Sequence, residues 1–306
     1  PNEAEILRHE VREFLSDALK DVPKETRAET WYGADENFSR KVGQKGWIGL
    51  NWPKEHGGAG RSSMERYVIL EEMLTAGAPV GAHWISDRQS GPLIIRYGTE
   101  KHQKELLPGI LKGESYFCIG MSEPDSGSDL AALRTKAEKK GDIYLVNGTK
   151  LWTSGAHRCQ YMIALFKTSQ EEDRHGGFSQ FIVDLSLPGV TIRPIIDLAG
   201  RHHFNEVIFE DVEVPEDMLI GTEGNGWNQV TAELALERSG PERYLSSYML
   251  LQELVSEFSN KNDDEGVTEI GRQMSHLTTL RQMSVSVAGM LDQGENPALE
   301  ASVVKD

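Results

Sequence analysis

The sequence has 306 residues, a length that predicts two or three domains rather than one small core. With 38% hydrophobic and 26% charged residues, its composition is that of a globular protein, and no apolar run approaches the ~20 residues that a membrane helix needs. The formal net charge of −16 disfavours nucleic acid as a partner, because an acidic surface repels phosphate backbones.

Residues 1–114 predict an N-terminal helical domain. Val11, Leu15 and Leu19 recur at helical spacing, and Ser62 followed by Glu65 resembles the capped start of another helix. Helices after the first are predicted over 37–46, 62–76, 87–97 and 100–112. The run WPKEHGGAG at 52–60 interrupts the helical pattern, since proline and glycine break helices.

Residues 115–220 predict a middle β domain. Short segments rich in β-branched and aromatic residues alternate with turn residues such as Asn147-Gly148 and Gly176-Gly177. The strands are predicted over 116–121, 143–153, 161–167, 178–183, 190–194 and 206–214. This spacing favours an antiparallel β-barrel or sandwich over alternating βαβ units, and together with the helical segments it predicts an α+β multidomain fold.

Residues 221–306 predict a C-terminal helical bundle that is incomplete. The helical pattern runs from Gly226 to about Ser259, a second helix is predicted over 267–291, and a third begins at Pro297. Each helix has an apolar stripe to bury, and a four-helix bundle needs roughly two more helices. We therefore expect either further helices beyond Asp306 or a partner that covers the exposed faces.

The two cysteines, Cys118 and Cys159, fit no metal-binding spacing and suggest no disulfide framework. No metal site is predicted. This cysteine usage and the polar N-terminus predict a cytoplasmic protein, with the mitochondrial matrix as the alternative. Cys118 lies in an apolar run, which favours a small core residue over a nucleophile.

Two polar runs of the middle domain have the composition of a ligand site. Residues 120–129, GMSEPDSGSD, follow a predicted strand and offer backbone N–H groups and hydroxyls to an anion or a polar ring edge. Residues 150–156, KLWTSGA, place an aromatic ring, two hydroxyls and a glycine after another strand. Taken alone, each run fits an ordinary turn or a core tryptophan better. The Gly-x-Gly-x-x-Gly fingerprint of a dinucleotide-binding βαβ unit is absent from the sequence.

In this order and separation, the two runs resemble the flavin-contacting segments of acyl-CoA dehydrogenases. The resemblance extends over the whole chain, through WPKEHGGAG at 52–60, GTEKHQK at 98–104, LPG at 107–109, VEVP at 212–215 and GTEGNGW at 221–227. Each segment alone is weak evidence for the family, whereas the order that the segments share with it is specific. The resemblance implies the family fold and FAD as the cofactor.

The resemblance also implies roles for individual residues. The backbone of Met121 and the residue Ser122 would bond the isoalloxazine ring, Trp152 would pack beside that ring, and Ser154 would reach the reactive flavin nitrogen. Ser128 would meet the CoA portion of the substrate. The family often has threonine at the positions of Ser122 and Ser154, and serine keeps the hydroxyl with a less restrained rotamer.

Desaturating a thioester requires a carboxylate in a dry, apolar pocket, where its pKa rises toward the working pH. By residue type alone, a glutamate on a helix is expected at the surface and not in such a pocket. The isovaleryl and long-chain types of the family carry the base as glutamate immediately before arginine on the first long C-terminal helix, and Glu237-Arg238 matches that pattern. Arg238 would lie near the CoA arm. Glu233 and Glu242 are the fallback candidates, and most other family members carry the base on a later segment.

The function implied by the resemblance is that of an FAD-dependent acyl-CoA dehydrogenase, which passes electrons to an electron-transferring flavoprotein. We expect a homo- or hetero-oligomer, a dimer or a tetramer, that acts on an acyl-CoA substrate and has no membrane span. The alternatives are an acyl-CoA oxidase of the same fold and a non-catalytic subunit or binding protein. A DNA-binding member is disfavoured by the charge of −16. The identity of the acyl group does not follow from the sequence.

Overall fold

The computed structural model describes residues 2–237, 240–259, 264–295 and 297–305. The helices are α1 (Asn2–Ala18), α2 (Lys24–Ala28), α3 (Glu36–Gln44), α4 (Ser63–Thr75), α5 (Gly91–Tyr97), α6 (Glu100–Leu111), α7 (Gly226–Glu237), α8 (Glu242–Leu245), α9 (Tyr248–Phe258), α10 (Asp264–Asp292) and α11 (Ala298–Lys305). The strands are β1 (Phe117–Gly120), β2 (Lys136–Lys140), β3 (Ile143–Ser154), β4 (Tyr161–Lys167), β5 (Phe178–Asp184), β6 (Val190–Ile196), β7 (His202–Pro215) and β8 (Leu219–Ile220).

The chain divides into two compact units. The helical unit comprises residues 1–84 and 234–306 and contains α1–α4 and α8–α11. The sheet unit, Ile85–Glu233, contains α5, α6 and β1–β8. The predicted succession of helical, β-rich and helical segments is confirmed, whereas the domain boundaries at 114 and 220 stay a prediction. Among the described helices, none combines the length and the apolar character that crossing a bilayer requires.

The sheet unit is built on one eight-stranded sheet. Its strand order is β6-β7-β3-β2-β4-β5-β8, and β1 pairs with β4 outside this path. Most pairings are antiparallel, but β1 and β2 both run parallel to β4. Among the described strands, β6 and β8 end the path without pairing with each other, so the sheet is open. The predicted β-rich middle domain is therefore confirmed, but it is not a closed barrel and not wholly antiparallel.

The core of the sheet unit is aromatic. The rings of Phe166 and Phe181 lie 5.7 Å apart, and Phe166 packs edge-on to Phe209 at 5.4 Å. Cys118 is fully buried in the same cluster, as expected for a small core residue. Tilted and edge-on ring pairs at these distances add to the free energy of burying the rings, by about 0.5–1.5 kcal/mol per pair. The strands that carry the polar runs are thus fixed to a packed core.

The Asn147-Gly148 pair lies within β3, so the turn predicted there is wrong. The ladder between β3 and β7 shifts register at this point, because Asn147 lies opposite two residues of β7, Glu210 and Asp211, so β7 carries the bulge. Gly148 has φ 146°, and a Cβ atom on it would lie 2.5 Å from the hydroxyl oxygen of Thr135. Only glycine fits this close approach of two strands, since any side chain would collide.

The predicted start of the helix at Ser62 is confirmed, whereas one predicted helix end is wrong. Ser62 and Glu65 form a capping box: the Glu65 N–H donates to the Ser62 hydroxyl at 3.1 Å, and the Ser62 N–H donates to the Glu65 carboxylate at 2.9 Å. The single helix predicted from Gly226 to Ser259 is wrong, because α7, α8 and α9 replace it. The dipeptide Gly240-Pro241 precedes α8, and proline cannot continue a helix from its N-terminal side.

A buried ionic cluster joins four helices of the helical unit. Glu71 of α4 is only 5% exposed and accepts hydrogen bonds from Arg281 of α10 at 2.6 and 3.1 Å and from Arg8 of α1 at 2.9 Å. Tyr67 also donates to Glu71, at 3.1 Å, and bonds Tyr244 of α8. Burial raises the pKa of Glu71, but the hydrogen bonds and charges of Arg281 and Arg8 outweigh burial, and the net pKa is lowered.

We predict that Glu71→Ala lowers the free energy of unfolding of the helical unit by about 3 kcal/mol. Removing one member of a buried charge cluster costs about 3–5 kcal/mol, and the lower end applies because Arg281 reaches solvent. The control is Glu269→Ala, whose exposed pair with Arg272 contributes about 1 kcal/mol or less. Urea denaturation measures both variants, and equal losses would contradict the assignment.

The lowered pKa of Glu71 also predicts an acid sensitivity. The unfolded state binds the proton more tightly, so the stabilisation is complete above the usual carboxylate pKa of 4.5 and is lost as the pH falls through the folded-state value. In a pH series of urea denaturation, wild type should lose more stability below pH 4.5 than Glu71→Gln does. Parallel pH profiles would mean that Glu71 does not contribute to the acid transition.

Candidate functional site

The two polar runs lie against each other at the end of β1 and along β3. The N–H of Leu151 donates to the carbonyl oxygen of Ser122 at 2.8 Å, and the ammonium of Lys150 donates to the carbonyl oxygen of Met121 at 3.1 Å. Both runs belong to the sheet unit. Two segments separated along the sequence therefore form one continuous backbone surface.

A buried ion pair fixes this junction. The ammonium of Lys150 donates to a carboxylate oxygen of Glu123 at 2.8 Å, and the two residues are 0% and 7% exposed. The same carboxylate accepts from the backbone N–H groups of Arg134 at 2.6 Å and Thr135 at 3.0 Å. The carboxylate is thus shared between the strand and the end of the run that follows β1, and its charge is well satisfied.

Burial determines the direction of the pKa shift of Lys150, whereas the neighbouring charge and hydrogen bonds determine that of Glu123. Burial lowers the pKa of Lys150 to about 8, and the attraction of Glu123 opposes that shift without cancelling it. Burial raises the pKa of Glu123, but the charge of Lys150 and the hydrogen bonds to the carboxylate outweigh it, so the net pKa is lowered. The 2.8 Å contact supports an ammonium–carboxylate pair at neutral pH, since a pKa of about 8 still lies above pH 7 for Lys150 and the lowered pKa of Glu123 keeps its carboxylate ionised.

Trp152 is held in an unusual conformation at a second bulge. Leu151 and Trp152 of β3 lie opposite one residue of β7, Glu206, between paired positions on either side. The backbone of Trp152 has φ 60°, in the left-handed region that large L-residues rarely adopt. The residue is 56% exposed, and its indole meets the ring of Phe204 edge-on at 5.8 Å. Strain of this kind is found where a fixed side-chain direction serves a function.

The donor set at this junction fits the edge of a flavin. Ser122 and Ser154 are half-buried, and neither side-chain hydroxyl hydrogen-bonds to another described residue. The backbone N–H of Ser122 is likewise not bonded to any residue that the structure describes. An isoalloxazine ring has carbonyl and nitrogen acceptors along one edge and two flat faces. Free donors beside an exposed indole suit both features.

Ser128 is exposed in the turn that follows Ser122. Within this turn the Ser126 hydroxyl donates to the Asp129 carbonyl at 2.7 Å, and the backbones of Glu123 and Ser126 bond each other at 2.7 and 3.1 Å. These contacts order the turn and leave Ser128 open to solvent. Its role toward CoA stays a prediction.

The predicted base lies at the end of a described helix. Glu237 is the last residue of α7, but its side chain and that of Glu233 lie outside the described part of the structure, as does the whole of Arg238. The fallback candidate Glu242 begins α8 and is 2% exposed. The convergence of a glutamate with the two serine-bearing runs stays a prediction.

A histidine cluster packs beside the same end of β3. The rings of His157 and His202 stack at 3.8 Å, and Asn205 joins the cluster to the strand by donating to the Thr153 carbonyl at 2.9 Å. Burial, and then the charges of His202 and Arg158, lower the pKa of His157 to about 4. The lowered pKa favours the neutral form of the exposed His157 ring, which stacks on His202.

Sequence reasoning missed the residues that join the two runs. Lys150 and Glu123 lie within the two polar runs, but no role was predicted for either. The available signal was a single lysine between the apolar and β-branched residues of a predicted strand. Charged side chains are rarely buried without a partner, so a core lysine predicts an acid on a neighbouring element.

The backbone of Trp152 provides a test of the strain. We predict that the free energy of unfolding of Trp152→Gly lies within about 1 kcal/mol of the wild-type value. A large ring is lost, but glycine adopts positive φ freely. Trp152→Val should be less stable than Trp152→Gly by about 1–2 kcal/mol, because valine, unlike glycine, retains the cost of the left-handed conformation. Chemical denaturation of the two variants measures the difference, and equal stability would show that the conformation is not strained.

Two family models match the chain. "Acyl-CoA dehydrogenase, N-terminal domain" matches residues 1–114, and "Acyl-CoA dehydrogenase, middle domain" matches residues 118–212. Among curated relatives, acyl-CoA dehydrogenase FadE29 of Mycobacterium tuberculosis is 37% identical over 268 residues, which cover 86% of this chain and 68% of the relative. FadE26 of the same organism is 32% identical over 322 residues, with 98% and 80% covered. The mitochondrial isovaleryl-CoA dehydrogenase of Pongo abelii is 30% identical, with 76% and 56% covered.

Solved structures with the same fold include a steroid ACAD named Tcur3481-Tcur3483, which has a TM-score of 0.90 and 29% sequence identity. The ChsE4-ChsE5 complex from Mycobacterium tuberculosis has a TM-score of 0.85 and 31% identity. The matches cover 100% and 99% of this chain and 80% of each of those chains. Two domain models that together match more than half of the sequence, and relatives above 30% identity, show that the chain belongs to the acyl-CoA dehydrogenase family.

Proposed function

We propose that this chain is an FAD-dependent acyl-CoA dehydrogenase, which introduces an α,β double bond into an acyl-CoA thioester. One observation carries the proposal: the two runs that bond flavin in the resembled family lie in direct contact, through Leu151 to Ser122 and Lys150 to Met121. The hydroxyls of Ser122 and Ser154, which bond no residue in the described part of the chain, and the exposed Trp152 support flavin as the group received at that junction.

FAD, when bound, supplies the acceptor for the hydride that leaves the β-carbon of the acyl group. The chain's own residues bind the flavin and orient it. The backbone at Met121 and the hydroxyl of Ser122 are the proposed donors to the ring edge, and the Ser154 hydroxyl is the proposed donor to the reactive nitrogen. Trp152 provides a flat apolar wall that excludes water from one side. Donors held by a rigid sheet do not need to reorganise during the reaction.

Glu237 is the proposed base for the α-proton. It ends an apolar helical stretch, LALE, and an apolar environment raises the pKa of a carboxylate so that it accepts a proton near neutral pH. Arg238 would supply positive charge to the phosphates of CoA, which a chain with a net charge of −16 otherwise repels. Glu233 and Glu242 remain the fallback candidates.

The proposed partners follow from the family and from the helical unit. Its helices expose large apolar side chains, among them Leu250 at 62%, Leu254 at 41% and Leu299 at 74%. Faces of this kind support an oligomer, either homo- or heteromeric, in which other helices cover them. An electron-transferring flavoprotein is the proposed electron acceptor, and the cytoplasm is the proposed compartment. One structural neighbour is named as a steroid ACAD, and we leave the acyl group of this chain's substrate open.

We predict that the purified full-length protein is yellow and that an acyl-CoA bleaches it anaerobically, because reduced flavin loses its visible absorption. Absorbance spectra during titration with a panel of straight, branched and ring-containing acyl-CoA thioesters measure the effect. Peroxide production in air would favour the oxidase instead. A colourless protein that stays inert after addition of FAD would favour the non-catalytic subunit and contradict the proposal.

We predict that Glu237→Gln abolishes bleaching and leaves FAD bound, since glutamine keeps the shape of the side chain and cannot take a proton. Loss of a general base lowers the rate by about 100- to 10,000-fold. Glu253→Gln, at an exposed position of α9, is the matched control and should bleach like wild type. Full activity of Glu237→Gln would move the role to Glu242, Glu233 or a later segment, and single glutamine variants at the first two positions separate these cases.

A further inference from the structure

We propose that Lys150 and Glu123 form a clamp that sets the affinity of the site for flavin, with Lys150 as a positioning residue acting through the peptide between Met121 and Ser122. The inference rests on the proposed function in one respect, the identity of the ligand as FAD. It assigns a role to two residues that the resemblance leaves without one. The clamp is defined by the contacts of Lys150 with Glu123 and Met121.

The burial of the clamp argues against a purely stabilising role. Lys150 is 0% exposed and Glu123 is 7% exposed, so both charges lose almost all of their hydration. Replacing a buried ion pair with apolar residues of similar volume is often neutral or stabilising, because the pair barely recovers its desolvation cost. The pair therefore contributes chiefly by fixing one arrangement of the segments that it joins.

The contacts of Glu123 show which segments are joined. Its carboxylate accepts from the N–H groups of Arg134 and Thr135, which lie just before β2, while Lys150 lies on β3. The N–H of Glu123 also donates to the Ser126 carbonyl at 2.7 Å. The Glu123 carboxylate thus holds together the start and the end of the run between β1 and β2. Lys150, on the strand that carries Trp152, binds the same carboxylate.

The clamp also acts on a hydrogen-bond donor. The carbonyl oxygen of Met121 and the N–H of Ser122 belong to the same peptide group. An ammonium that bonds the carbonyl polarises the peptide and makes its N–H a stronger donor. That N–H is not bonded to any described residue, and it stands beside the free hydroxyl of Ser122. Lys150 therefore strengthens a donor that is available to the ring edge of a flavin.

A double-mutant experiment separates positioning from stability. In Lys150→Met and Glu123→Gln, each single change leaves a buried charge without its partner, so both variants should lose thermal stability and FAD affinity. The double variant Glu123→Gln/Lys150→Met contains no buried charge. Its thermal midpoint should return close to the wild-type value, while its Kd for FAD stays raised by ~10-fold or more, since the bond to Met121 is still missing.

The readouts are the thermal midpoint of the apoprotein, the Kd for FAD and the visible absorption maximum of the bound flavin, all in the full-length protein. Lys139→Met is the matched control, because Lys139 forms an exposed pair with Glu216 in the same sheet unit. It should leave all three readouts unchanged. In the double variant, the absorption maximum of the flavin that binds should move toward that of free FAD, which a merely structural pair would not cause.

Three results would overturn the proposal. One is a stable double variant that binds FAD as tightly as wild type. Another is a loss of FAD binding that follows only the loss of folded protein across the variants. The third is a wild-type protein that binds no FAD, which would overturn the proposed function as well. The first two leave the proposed function intact, so the two failures are distinguishable.

Discussion

The sheet unit depends on one electrostatic constraint: an ammonium that is wholly buried has to meet a carboxylate, and that carboxylate lies 27 residues away on another element. The ion pair between Lys150 and Glu123 brings the run after β1 onto β3. The backbones of Met121 and Ser122 then lie beside Lys150 and Leu151. The aromatic core holds the strands, but it does not determine how a polar loop lies on their ends. The ion pair supplies that information because its geometry is directional.

The helical unit uses the same physical solution on a larger scale. Glu71 and Arg281 are 210 residues apart in sequence, and their contact ties the long helix α10 to the central helix α4. Apolar side chains alone allow helices to slide past one another with little change in buried area. A buried charge with several partners removes that freedom, since any shift leaves it unsatisfied. The cluster thereby keeps α10 in one register while apolar faces of the unit remain exposed.

The sequence was most informative where short motifs kept their order. The two polar runs, the capping box at Ser62 and the succession of helical and β-rich segments were predictable from residue types and spacing. Strand β2 was missed because its sequence, KAEKK, reads as a charged surface segment and only Ala137 is buried. The open sheet was missed because turn spacing predicts hairpins and says little about the parallel pairing of β1 and β2 with β4.

The conformation of the site was beyond sequence reasoning for a related reason. The left-handed backbone of Trp152 arises from a bulge that only the register of β3 against β7 reveals. The partner of Lys150 depends on the path of a loop, which propensities do not encode. Residue roles at Met121, Ser122, Trp152 and Ser154 came from the resemblance, and the structure adds the contacts by which the two runs could act as one surface.

If the two joined runs receive a flavin, binding of FAD must protect their backbone amides from hydrogen exchange. Amide exchange followed by mass spectrometry, with and without FAD, reports protection segment by segment. We expect FAD to slow exchange in peptides covering residues 120–129 and 150–156 of the sheet unit. Unchanged exchange in both peptides, at an FAD concentration that saturates binding elsewhere, would contradict it.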